Sequence, residues 1–288
     1  MKTKLVCALL SVLGVASLAM AKKTDFQDHL GIQMWSLRET AKESPLKALD
    51  LVKEYKLREV ETAGFGDMTA EQYAAELKKR GLKAIGMHSG YEGFEKDLPG
   101  LIKSAKALGA KYIICPWLPQ EKGKGFTDEQ ALKVAEDFNK WGKIAKESGV
   151  LLGIHPHGFE FLPSKKHEGK TVFDVLAENT DPETVVFEMD VFWVVHAGHD
   201  PVELLKKYGK RWALMHVKDI RKGAVTGLST GGAPPTDNVP VGDGQVNWPA
   251  VLKTAQKVGT KHFLIEDETP APLQCIPASL KYLRGLKL

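Results

Sequence analysis

The chain has 288 residues, 43% hydrophobic and 26% charged, which is ordinary globular material and excludes a disordered or fibrous chain. Its formal charge of +4 is too small for a nucleic-acid-binding surface. The length suits a single large α/β domain, since barrels of this class run to about 250 residues.

Lys2 and Lys4 precede an apolar run from Leu5 to Met20, and Ala19-Met20-Ala21 has the small-x-small form of a cleavage site. This predicts a signal peptide over 1–21 and an exported, periplasmic or extracellular protein over 22–288. The apolar run, about 16 residues, is short for a membrane span, so no membrane attachment is expected after cleavage. Cleavage removes Lys2 and Lys4 and lowers the formal charge from +4 to +2. Cys115 and Cys275 remain, too few for a disulfide framework, and are expected as buried free thiols.

The mature chain alternates short β-type runs with amphipathic helical stretches. Strand 1 is expected over Gly31 to Leu37, followed by a helix that opens at Ser44-Pro45 and runs to about Tyr55. Strand 2 covers Arg58 to Thr62, and a helix from Thr69 to Arg80 stops at Gly81. Strand 3 covers Leu82 to His88, and its helix runs from about Pro99 to Leu108. Strand 4 covers Lys111 to Pro116, followed by a long helix from Thr127 to Ser148. Strand 5 covers Val150 to His155, with a helix over Thr171 to Asn179. Strand 6 covers Thr184 to Asp190, with a helix over Pro201 to Tyr208. Strand 7 covers Trp212 to Lys218 and leads into a polar loop from Asp219 to about Gln245. A helix over Trp248 to Val258 precedes strand 8, His262 to Asp267, and a last helix covers about Pro277 to Leu286. Eight strands, each followed by a helix, predict an α/β fold, a single (β/α)8 TIM barrel, with a doubly wound open sheet as the competitor.

Such a barrel places its active site at the C-terminal strand ends. Strand 2 ends at Glu61, strand 3 at His88, and strand 5 leads into His155, His157 and Glu160. Strand 6 ends at Asp190, strand 7 at His216 and Lys218, and strand 8 at Glu266. Glu160, Asp190, His216 and Glu266 make three carboxylates and one imidazole. Like charges that converge repel unless a cation sits between them, so a divalent metal (Mn, Mg, Co or Zn) is expected. His155 and His157 compete with Glu160 as the strand-5 ligand. Glu188, two residues before Asp190, faces the same way one layer lower and needs a partner. Each residue has a structural alternative: Asp190 as a turn cap, His216 as a core histidine, Glu266 within a solvated acidic loop. The aromatics Trp35, Phe159, Phe192 and Trp193 serve either as rim packing or as flat faces for sugar rings.

Several segments together carry a resemblance to a known family. They are Gly31-Ile-Gln-Met-Trp-Ser-Leu-Arg38, His155-Pro-His-Gly-Phe-Glu-Phe161, Met189-Asp-Val-Phe-Trp193 with Ala197-Gly198, His216-Val-Lys-Asp219, Val241-Gly-Asp-Gly-Gln-Val-Asn-Trp248 and Ile265-Glu266. The chain resembles the xylose isomerase-like TIM-barrel family, which includes sugar isomerases, epimerases, inosose dehydratases and endonuclease IV. The resemblance implies a metal held by Glu160, Asp190, His216 and Glu266. It departs at strand 5, where His155 stands in the place many epimerases give to a glutamate. The implied chemistry is proton transfer next to a carbonyl, with Glu266 taking the proton, Glu160 or a histidine returning it, and Lys218 stabilising the anion. Trp35, Glu61, His88, His155, His157, Trp193 and His196 would bind a small carbohydrate. The expected activity is a metal-dependent isomerase or epimerase of an unphosphorylated sugar. The alternatives are a lyase or hydratase of keto sugars or 3-keto glycosides and a non-catalytic carbohydrate-binding barrel. No nucleic-acid partner is expected, and a homo-oligomer is compatible with the sequence.

Overall fold

The computed structural model describes residues 25–120 and 125–288, so the expected signal peptide lies outside the described residues. Eight parallel strands close into a barrel: β1 (Leu30–Gln33), β2 (Glu59–Thr62), β3 (Lys83–His88), β4 (Tyr112–Cys115), β5 (Leu151–Ile154), β6 (Val185–Asp190), β7 (Trp212–Val217) and β8 (His262–Ile265). Sequential strands are neighbours, and β8 pairs with β1 to close the ring, with Leu30 opposite Phe263. The eight-strand single-barrel expectation holds, and the open sheet is excluded.

The helices begin and end where local chemistry requires. Thr69, Thr127 and Thr171 each cap a helix and exchange hydrogen bonds with the residue three positions on, closing capping boxes. Gly81, Gly109 and Gly259 end helices in the left-handed conformation. Among the described residues no helix is long and apolar enough to cross a membrane.

Several boundaries differ from expectation. β1 stops at Gln33, because the Gln33 side chain accepts the Trp35 N–H and turns the chain into a 3-10 segment over Met34–Leu37. The helix before β4 begins at Tyr91, and Pro99 lies past a kink at Asp97, whose φ and ψ are −151° and 58°. An unexpected short helix, Val191–His196, follows β6 directly, capped by Asp190. The last helix begins at Pro272, with Pro277 inside it. The polar loop from Asp219 is partly ordered by a two-residue antiparallel ribbon, Asp219–Ile220 against Asn238–Val239. Of the two mature cysteines, both free, Cys115 is buried and Cys275 only partly so.

Inward-facing side chains fill the barrel in layers. Tyr112, Ile114, Val186, Leu214 and Leu264 form an apolar cluster in the lower part. A polar layer of Gln33, Glu61, Glu188 and His216 rests on it, all fully buried. The strand registers slip just before two of these carboxylates, between Val60 and Glu61 and between Phe187 and Glu188. Such irregularities re-aim side chains at barrel rims. Gly86 makes room for Glu61, since a Cβ there would lie 2.8 Å from Glu61 Oε1.

Candidate active site

Asp190 on β6 and His216 on β7 are register partners, so their side chains leave the barrel wall at the same height. Asp190 uses Oδ1 to accept the Trp193 N–H and cap the helix after β6, while Oδ2 points into the barrel mouth. Capping and site geometry therefore coexist in one carboxylate. His216 Nε2 sits 2.8 Å from Glu61 Oε2 and 3.1 Å from Glu188 Oε2, which makes it the proton-bearing nitrogen. Its other nitrogen, Nδ1, lies 3.3 Å from Glu266 Oε2 and 3.9 Å from Asp190 Oδ2. His155 repeats the arrangement: Nδ1 lies 2.9 Å from Glu188 Oε2, and Nε2 lies 3.9 Å from Asp190 Oδ2.

Three of these converging atoms, His155 Nε2, Asp190 Oδ2 and His216 Nδ1, are buried and have no hydrogen-bond partner. Buried polar atoms without partners are costly and call for an explanation such as an ion. Asp190 Oδ2 lies 3.9 Å from both His155 Nε2 and His216 Nδ1, and His216 Nδ1 lies 3.3 Å from Glu266 Oε2, close to the roughly 3.3 Å between neighbouring ligands of an ion with ~2.0 Å bonds. Two imidazoles and two carboxylates fit a divalent transition metal. The outer carboxylates Glu61 and Glu188 fix both imidazole tautomers, as the outer partners of metal-bound histidines do.

Glu160 does not join this group. Its carboxylate turns back to accept the His157 N–H at 2.9 Å and is fully buried. β5 ends at Ile154, so the position facing the cup falls to His155, while Glu160 enters a separate 3-10 turn. Burial pushes the Glu160 carboxyl up from 4.5 to about 8, against three backbone hydrogen bonds that pull it down. A carboxyl raised on folding stabilises the protein fully below its unfolded value and loses that contribution as pH rises to its folded value. Glu160→Gln should therefore gain stability relative to the native protein as pH climbs from about 4.5 to about 8. Paired thermal melts across that range check this, and a pH-independent difference would refute it.

Lys218 is 1% exposed. Its ammonium lies 3.0 Å from Glu266 Oε2 and 3.6 Å from Asp190 Oδ2, bonds Glu268, and faces the Phe192 and Trp193 rings at 5.3 and 5.4 Å. Against burial, which favours the neutral amine, Glu266, Asp190 and Glu268 hold it firmly protonated. Glu266 is likewise held well below the usual carboxylate range, against burial, first by Lys218 and then by His216. Lys218 thus holds the carboxylates, and it does not line the cavity expected to receive an anion.

That cavity, about 620 Å³, opens above the cluster, and Trp35, His88, His155, His157, Trp193 and Glu266 line it. Trp117, Ser89, Gly231 and Glu268 also line it and were not anticipated. Trp117 lies on the connection after β4, where no polar pattern marked it. Glu61 lies beneath the floor, bonded to Gln33 and His216. His196 is buried against Phe192 and outside the lining, because the helix after β6 turns it under the following loop. Phe159 and Phe192 are buried packing, whereas Trp35 is 44% exposed and donates its indole N–H to Glu268.

The Asp219 loop is anchored beside the cavity. The Asp219 carboxylate accepts from the N–H groups of Ile220, Gly242, Gly244 and Val246 and from the Trp248 indole. Gly244 is needed here, since a Cβ would fall 2.1 Å from Asp219 Oδ1. At Gly231 the loop packs so closely on Phe159 and Trp117 that a Cβ would lie within 2.9 Å of both rings.

Comparison with known proteins agrees with this fold. The profile of the xylose isomerase-like TIM-barrel family matches residues 39–286. An inosose dehydratase of Mesomycoplasma hyopneumoniae strain J is 32% identical over 73% of this chain and 78% of its own length. One of Clostridium perfringens is 29% identical over 67% of this chain and 71% of its own. A sugar phosphate isomerase/epimerase of Parabacteroides distasonis superposes with a TM-score of 0.71 at 25% identity, covering 93% of this chain and 96% of that one. With the family profile spanning nearly all of the described barrel, the chain belongs to the xylose isomerase-like TIM-barrel family.

Proposed function

We propose that this sugar-modifying enzyme is a metal-dependent lyase. It would remove a proton next to the carbonyl of an unphosphorylated keto sugar or keto polyol and expel the substituent on the next carbon. The observation that carries this reading is the end of β5: Glu160 turns away and His155 takes the cup position. Epimerisation by two carboxylates needs one on each face of the substrate, and here the lining carboxylates, Glu266 and Glu268, both follow β8. Across the mouth stand His88 and His157. The inosose dehydratase relatives support an elimination of the same kind.

His155 Nε2, Asp190 Oδ2, His216 Nδ1 and Glu266 Oε2 would hold the metal. Bound there, a divalent ion supplies Lewis acidity toward the substrate's carbonyl and hydroxyl oxygens. The Glu266 carboxylate, kept ionised by Lys218, takes the proton from the carbon beside the carbonyl. The C–H electron pair forms the enediolate and then the C=C bond as the neighbouring C–O bond breaks. His88 donates the proton that the departing oxygen needs. Against burial, Glu61 and Glu188 raise His88 to about 10, and with both carboxylates on Nε2, Nδ1 is left to give the proton. Trp35, Trp117 and Trp193 offer flat apolar faces to the ring. Among the described residues the cavity lining has no lysine or arginine, which favours an uncharged substrate over a sugar phosphate. The expected signal peptide fits a free sugar met after export.

The test is incubation of the Mn²⁺-loaded mature protein in D2O with free sugars, keto sugars, keto polyols and 3-keto glycosides, followed by NMR. An unsaturated product or released aglycone supports the lyase. A rearranged sugar that carries deuterium shifts the assignment to an isomerase or epimerase. Bound sugar with neither exchange nor product points to a carbohydrate-binding barrel.

A further inference from the structure

A second group of metal-type side chains sits at the opposite end of the barrel. His29 precedes β1, Glu59 opens β2 and His262 opens β8, so the three come from adjacent N-terminal strand ends. His29 Nδ1 lies 3.0 Å from Glu59 Oε1, and His262 Nδ1 lies 2.7 Å from Glu59 Oε2. Both rings therefore present the same nitrogen, each to a different oxygen of one carboxylate. Their planes are nearly perpendicular, at 89°, with centroids 5.7 Å apart. One donor atom from each of the three residues lies within 4.8 Å of the other two.

We propose that His29, Glu59 and His262 form a second, structural metal site for a borderline divalent ion, zinc in the first instance. Two imidazoles and a carboxylate are a zinc donor set, with water as the fourth ligand. The side chain of His29 is 36% exposed and, with His262, borders an open cleft of about 400 Å³, which gives an ion entry and leaves room for that water. Backbone pairing holds the donors in place: Gly31 is opposite Glu59, and Leu30 is opposite Phe263. Tyr112 packs edge-on against the His262 ring at 5.8 Å and steadies its orientation.

The position also gives the ion a purpose. β1 and β8 meet at the seam where the first and last strands close the barrel. A metal bound to His29 and His262 would join two chain segments that are neighbours in space but far apart in sequence. Cross-links that close long loops restrict the unfolded chain most. Features at this face of a TIM barrel act on stability, while chemistry occupies the other face. Without an ion the same three residues would make only a hydrogen-bonded clamp.

The test uses the mature protein, stripped by chelator and titrated with Zn²⁺ and then with Co²⁺ as a spectroscopic probe. The native protein should bind one more equivalent than His29→Ala, and its Tm should rise by a few degrees with the ion that the variant lacks. His29 is half-exposed, so its loss should leave the fold intact, which circular dichroism verifies. Zinc-edge anomalous diffraction from the native protein needs no variant: a peak between His29, Glu59 and His262 is the expected result. Equal stoichiometry and equal zinc-dependent melting in native and variant proteins, or an anomalous peak only beside Asp190, would overturn the proposal. Both outcomes are independent of whether the opposite mouth is a lyase.

Discussion

Glu266→Gln should lower kcat by about 10²- to 10⁴-fold, the range expected when a positioned general base is removed. The amide keeps the shape of the side chain but takes no proton, and it loses the ionic contact with Lys218 at 3.0 Å. Two effects would follow and can be separated. Loss of proton abstraction abolishes deuterium exchange next to the carbonyl even at saturating metal. Loss of a ligand weakens metal binding, which direct titration reads without turnover. Exchange that persists at the native rate with metal bound would remove Glu266 from the role of base.

Glu188→Ala should be among the most destabilising single changes in the protein, at about 3–5 kcal/mol. Glu188 is fully buried, and its Oε2 lies within 3.3 Å of nitrogens on His88, His155 and His216. Against burial, which would raise it, His216, His155 and His88 hold this carboxyl well below its usual range. Alanine leaves three imidazoles without their common acceptor and opens a cavity. Glu188→Gln keeps the volume and one acceptor, so it should fall between alanine and the native protein. Urea midpoints for the three proteins give the order. Metal affinity should drop about 10- to 100-fold in the alanine protein, because the His155 and His216 tautomers lose a fixing partner. A stability change under 1 kcal/mol would mean that the histidines find other partners and that Glu188 is not their hub.

Glu188 also shows how far strand alternation reads. Residues two apart face one way, so its place beneath Asp190 and its need for a partner were legible. Three histidines from three other strands as those partners were not, because strand pairing brings them together across 28 to 100 residues of sequence. Asp190, His216 and Glu266 were legible for a similar reason: each closes a recognisable strand run, and a closed barrel gathers strand ends at one mouth. Glu160 misled because sequence proximity to β5 says nothing about where a tight turn aims a side chain. His196 misled likewise, since the short helix after β6 is too brief to show a periodic pattern. Trp117 and Glu268 went unnoticed as site residues because an exposed tryptophan or an acidic loop residue has no local signature of a cavity.

The order of elements, the eightfold strand–helix rhythm, the helix caps and the strand-end carboxylates follow from local chemistry: apolar periodicity, capping side chains and glycine stops act within a few residues. Which of those side chains meet was decided by closure of the barrel. Closure sets β8 against β1, offsets the register before Glu61 and Glu188, and turns His155 inward while Glu160 turns back. The same closure brings His29 and His262 to one carboxylate at the far end. Contacts of this kind depend on ångström-scale register between distant strands, which no local pattern encodes.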